Sequence, residues 1–227
     1  MSKKILAIVT SKKTLDAGDP TGFWLEEFAA PYGVFREAGY EVDIASPDGG
    51  ETQIDPASQG APWLSDSGRS VLESQEVMAK IADTAKLADV DPDVYDAVFV
   101  VGGVGAAFDL HENAALKRLL EAFEAKEKVV SAICTGVVSL ADICDANGDL
   151  LVAGKPLTAI SNAENDELNI TPLLPVLTET RLKEAGAVYE AAAPWGVCVR
   201  RHGRLITGQN PASAAPLGQA VVACLLS

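Results

Sequence analysis

The chain has 227 residues, 48% hydrophobic and 22% charged, which suits one soluble globular domain over 1–227 whose core needs no disulfide or metal staple. Eighteen Lys and Arg against 32 Asp and Glu give a net charge of −14, arguing against nucleic acid or an anionic membrane as partner. With only two histidines, a three-histidine metal site is excluded, and any catalytic histidine must be His111 or His202.

Lys4 to Thr10 reads as a buried strand, too short to span a bilayer and with no signal pattern ahead of it, so the expected compartment is the cytoplasm. Leu25 to Ala38 reads as a helix ended by Gly39, and Glu41 to Ser46 as a second strand before the turn Pro47-Asp48-Gly49-Gly50. A helix is expected between Val71 and Leu87. Tyr95 to Val101 is a strand running into Gly102-Gly103, Ala114 to Ala125 a helix, Lys128 to Ile133 a strand and Gly136 to Ile143 a helix. In the last third, Val197 to Arg200 and Arg204 to Thr207 form a hairpin, with helices near Pro175 to Ala185 and Ala212 to Leu226. Continuous apolar strands alternating with helices predict an α/β fold with a covered, mostly parallel sheet. The stretches 16–21 and 48–62 read as long loops near a site rather than domain boundaries.

Four cysteines, Cys134, Cys144, Cys198 and Cys224, lack the spacing of a zinc or disulfide framework. Three read as small buried hydrophobes. Cys134 differs, because the run Val129 to Ile133 leads into it and Gly136 and a helix follow. That is the pattern of a nucleophile elbow, in which a tight strand-to-helix turn exposes the side chain. The Thr135 N–H then faces a developing oxyanion, and the helix N-terminus favours a thiolate. Gly102-Gly103-Val104-Gly105 does not complete a dinucleotide fingerprint, since position 108 is Phe; such a turn equally brings N–H groups toward a reacting oxygen. Glu27 shares a helical face with Ala30, Pro31 and Val34, so its carboxyl points inward, and Pro31 is expected to kink that helix.

With these pieces in place, the chain resembles the DJ-1/PfpI superfamily, and most closely its glyoxalase III and heat-shock-chaperone branch. The resemblance rests on T-G-F-W-L-E-E-F-A-A-P-Y (21–32), A-G-Y-E-V-D-I-A-S-P-D-G-G (38–50), I-D-P-A-S (54–58), Y-D-A-V-F-V-V-G-G (95–103), A-I-C-T-G (132–136) and T-G-Q-N-P-A-S (207–213). It implies a flavodoxin-like three-layer sandwich of the class I glutamine amidotransferase type and a homodimer. It also implies Cys134 as nucleophile, Glu27 in an E-x-x-x-P pattern at its sulfur, and an oxyanion N–H from Gly103. Three positions depart from the branch. Thr135 follows the Cys where His is usual, Val104 replaces the His of G-G-H-G, and Asn165, with Glu164 beside it, stands where the third triad member is an acid.

The resulting expectation is a small-molecule enzyme that uses no cofactor. Cys134 adds to a reactive carbonyl such as a 2-oxoaldehyde, Glu27 shuttles protons, and Thr135 orients water or substrate. An isonitrile hydratase-like lyase, suggested by Cys-Thr-Gly, is the alternative enzyme. A stress chaperone or a redox sensor oxidised at Cys134 is the alternative of another class. Trp24, Trp63, Phe108 and Trp195 are candidates to line the pocket.

Overall fold

The computed structural model describes residues 2–227. In chain order the elements are β1 (Lys4–Ile8), α1 (Leu25–Glu37), β2 (Glu41–Ser46), α2 (Asp66–Glu73), α3 (Gln75–Ala82), β3 (Ala85–Lys86), β4 (Ala97–Val100), α4 (Ala106–Asp109), α5 (Ala114–Ala125) and β5 (Val129–Ile133). Then come β6 (Pro156–Leu157), α6 (Asn162–Glu167), α7 (Thr178–Glu184), β7 (Val188–Tyr189), β8 (Val199–His202), β9 (Leu205–Gly208) and α8 (Ala214–Leu226). One seven-stranded sheet has the order β3-β2-β1-β4-β5-β9-β8; β6 and β7 form a separate parallel pair. Every pairing in the large sheet is parallel except β8 with β9, the predicted hairpin, in which Val199 faces Gly208 and His202 faces Leu205.

Because side chains alternate across a strand, the sheet feeds two cores. Ile5, Ala7, Val9, Phe99 and Ile133 pack against Leu25, Phe28 and Phe35 of α1 and Leu217 and Val221 of α8. Leu6, Ile8, Val98, Val100 and Ala132 pack under Leu116, Leu120 and Phe123 of α5. Both faces are therefore covered, giving the predicted three layers. No helix among the described residues is long and apolar enough to cross a membrane.

The local differences from expectation have physical causes. The helix expected between Val71 and Leu87 is two helices, because Ser74 takes extended backbone, ends α2 and caps α3 by accepting from the Val77 N–H. The segment after β5 is a 3₁₀ helix over Cys134–Leu140, and Ser139 Oγ donates to the Gly136 carbonyl three residues back, a bond suited to that tighter winding. The long loop 48–62 holds a 3₁₀ turn at Pro56–Gln59 capped by Asp55. Ser58 Oγ in turn accepts from the Leu25 N–H at 3.1 Å, so it caps α1, whose own N-cap residue Trp24 makes no side-chain bond. The loop thereby sets where α1 begins.

α1 continues past Pro31 as a single helix, and Pro31 faces α8 at Gly218. A Cβ there would lie 3.0 Å from Pro31 Cα and 3.3 Å from Val34 Cβ, so glycine permits this close approach. Gly218→Val should overpack it and lower unfolding free energy by about 1–3 kcal/mol, read as a reduced urea midpoint at unchanged m-value.

Candidate active site

β5 ends at Ile133 in extended backbone, and the next residue, Cys134, has φ +56°. This left-handed conformation is uncommon for a side-chain-bearing residue and is found where the surroundings over-determine it. It turns the chain sharply off the carboxyl end of a central strand, where open α/β sheets place their ligand sites. Cys134 is thus at the predicted elbow.

Opposite it, the first turn of α1 brings in Glu27, 1% exposed and outside every ion pair among the described residues. The glycine turn after β4 lets the two groups meet. A Cβ on Gly102 would collide with Glu27 Oε2 and come within 2.8 Å of Cys134 Cβ. Gly103, at φ +116°, leaves room for the Gly22 carbonyl and Trp24 N–H, each 2.6 Å from where its Cβ would stand. The Trp24 N–H donates to the Gly102 carbonyl at 3.0 Å, fastening the start of α1 to this turn.

Burial raises the Glu27 pKa to about 8; facing Cys134 and the Gly102 N–H offset part of that rise, and the charges of Glu164 and Glu26 add to it. Neither Glu27 oxygen has a closely aligned hydrogen-bond partner in the resting geometry. Burial also pushes the Cys134 thiol well above its ordinary value, with Glu27 the next contributor; the hydroxyl and N–H of Thr135 oppose the rise. Thr135 Oγ1 lies 3.8 Å from Cys134 Sγ. The helix-terminus effect expected to favour a thiolate is therefore outweighed by desolvation, and the resting pair holds its protons at neutral pH.

Cys134 and Glu27 open into a cavity of about 30 Å³ lined also by Trp24, Gly103, Val104, Thr135, Trp63 and Trp195. The three tryptophans form a continuous run: ring centroids are 5.5 Å apart for Trp24 and Trp63 and 5.3 Å for Trp63 and Trp195. Of the site and pocket residues expected from the sequence, Asn165 and Phe108 are not in this lining. Asn165 is fully buried in α6, and Phe108 lies under Lys12, its ring 4.8 Å from Nζ. His111 stands beside Asp142 and Glu112, 3.8 and 3.9 Å away, and His202 lines a separate surface cavity with Lys128 and Arg204. Neither histidine reaches Cys134.

The sequence drew attention to Glu164 only as the neighbour of Asn165 and assigned it no role. Its carboxylate is completely buried and accepts five hydrogen bonds. Oε2 takes the Ser161 N–H and hydroxyl and Gln209 Nε2; Oε1 takes the Trp195 N–H and Asn210 Nδ2. The readable signal was Ser161-x-x-Glu164, a capping box at the start of α6.

The profile of the DJ-1/PfpI family matches residues 20–224. The glutathione-independent glyoxalase of Saccharomyces cerevisiae is 30% identical over 225 residues, with 93% of each chain covered. Among solved structures, the 24 kDa rapid encystment protein of Francisella tularensis is 32% identical with a TM-score of 0.94, over 99% of this chain and 100% of that one. Glyoxalase III of Candida albicans is 29% identical with a TM-score of 0.88, over 98% and 97%.

The Glu27 environment has a thermodynamic consequence. Between its ordinary value of 4.5 and about 8, the folded chain keeps a proton that the unfolded chain releases, so this group's contribution makes stability fall as pH rises through that window. Glu27→Gln removes the effect. The Tm difference between variant and wild type should shift in the variant's favour from pH 4.5 to about 8 and level off above, as read by calorimetry across pH.

Proposed function

The chain belongs to the DJ-1/PfpI family, and from that premise we propose that it is a glyoxalase III-like enzyme converting a small 2-oxoaldehyde and water into a 2-hydroxy acid without a cofactor. The observation that carries this reading is the pairing of an elbow cysteine with a buried carboxyl whose pKa is raised to about 8. A group titrating there can both accept and return a proton near neutral pH. The glyoxalase names of the Saccharomyces and Candida proteins support it.

The chemistry follows from the atoms present. Cys134 Sγ adds to the aldehyde carbon, Glu27 relays the thiol proton to the carbonyl oxygen, and a hemithioacetal results. Transfer of the carbon-bound proton from C1 to C2, by way of an enediol, turns it into a thioester. Water then hydrolyses that ester, releasing the 2-hydroxy acid and restoring the thiol. Oxidation at one carbon balances reduction at its neighbour, so no external redox partner enters. The N–H groups of Thr135 and Gly103 are assigned to the developing oxyanion. A narrow cavity suits a substrate of a few heavy atoms far better than a peptide.

Cys134→Ala should abolish lactate formation from methylglyoxal; turnover surviving in that variant would remove Cys134 from the chemistry. Activity toward an aryl isonitrile but not methylglyoxal would replace the reaction class with hydration. Thr135→His should raise kcat/KM, and Thr135→His with Asn165→Glu should raise it further. Together they should gain at least about tenfold, since a positioned base contributes on the order of 10²–10⁴. Unchanged kinetics in the double variant would show that the missing base does not limit this enzyme.

A further inference from the structure

One wall of the cavity is tethered by hydrogen bonds as well as packed. Trp195 sits at φ +62°, a conformation that a bulky aromatic residue rarely adopts and that persists only when neighbouring contacts dictate it. Two carboxylates do so. Glu164 Oε1 accepts the Trp195 backbone N–H at 2.9 Å, and Glu167 Oε2 accepts the indole Nε1–H at 2.7 Å. The flanking backbone is pinned as well: the Ala192 N–H donates to Gln209 Oε1, and Asn210 Nδ2 donates to the Gly196 carbonyl, both at 2.8 Å. The ring so placed contacts Trp63 and lines the same narrow space as Cys134.

We propose that Trp195, clamped through its backbone by Glu164 and through its indole by Glu167, is a specificity-determining gate that admits small electrophiles to Cys134 and excludes those bearing an aryl group. Strain, a two-point tether and a narrow cavity converge on one side chain. A residue that only filled core would need neither the tether to its indole nor the left-handed backbone. Discrimination by steric exclusion depends on a rigid wall, because a mobile one yields to the larger ligand. Two carboxylates on α6 supply the rigidity. For its natural substrates this inference rests on the 2-oxoaldehyde reading, but access to the sulfur can be measured without it.

The test compares alkylation of Cys134 by iodoacetamide and by its N-phenyl analogue, which share one reacting carbon and differ by a ring. Rates are read by mass spectrometry of the Cys134 peptide. The wild type should favour the small reagent strongly. Trp195→Gly, which suits the positive φ, should bring the rate ratio at least about tenfold closer to unity. Glu167→Ala should move it by roughly fivefold, the worth of one hydrogen bond, and Glu167→Gln, which keeps an acceptor, should restore the wild-type ratio. A ratio unchanged in folded Trp195→Gly and Glu167→Ala overturns the gate. In the same variants kcat/KM for phenylglyoxal relative to methylglyoxal should rise in parallel. If the alkylation ratio moves while no variant turns over either aldehyde, the gate stands and the glyoxalase reading fails. If both aldehydes are turned over and neither ratio moves, the glyoxalase reading stands and the gate fails.

Discussion

A carboxyl group taken out of water with no cation beside it must keep its proton or find donors, and Glu27 keeps its proton. That requirement organises the site. Ionising Glu27 next to Cys134 would place charge in a region walled by Trp24, Trp63 and Trp195, where the desolvation penalty is largest. The fold therefore brings acid and thiol together in their neutral forms and leaves the separation of charge to the moment a substrate arrives. Gly102 and Gly103 serve the same end, since a side chain at either would push α1 away from the elbow.

Glu164 solves the same problem in the opposite way. It is as deeply buried as Glu27, yet donors from α6, the Trp195 segment and the end of β9 converge on it. A carboxylate so surrounded works as a fastener, because removing any of the three segments would leave buried polar atoms unpaired. The wall it joins lines the same cavity as Glu27. One acid is set up to exchange a proton and the other to hold geometry, although both lie within electrostatic reach of each other.

How much of this was readable in the sequence follows from the range of each interaction. The central strands announced themselves because both of their faces are buried, which makes them continuously apolar. Cys134 and Glu27 were legible because their signals are local: an apolar strand running into a cysteine, and a carboxylate in register with apolar helical neighbours. β6 and β7 are two residues each and carry no periodicity to detect. Glu164 was visible as half of a capping box, but its bonds to Gln209 and Asn210 span some 45 residues of chain, and no local pattern encodes them. The role of Ser58 at the start of α1 was hidden for the same reason, its partner lying 33 positions away.

The chain contains three tryptophans, and all three line one cavity. Most proteins scatter their indoles, so that ultraviolet emission averages over unrelated environments. Here the entire tryptophan emission originates around a single sulfur atom. Energy passes readily among rings in mutual contact, so a perturbation at one is shared by the others. The protein carries a built-in optical reporter of its own reaction chamber, with no tryptophan elsewhere to blur the signal.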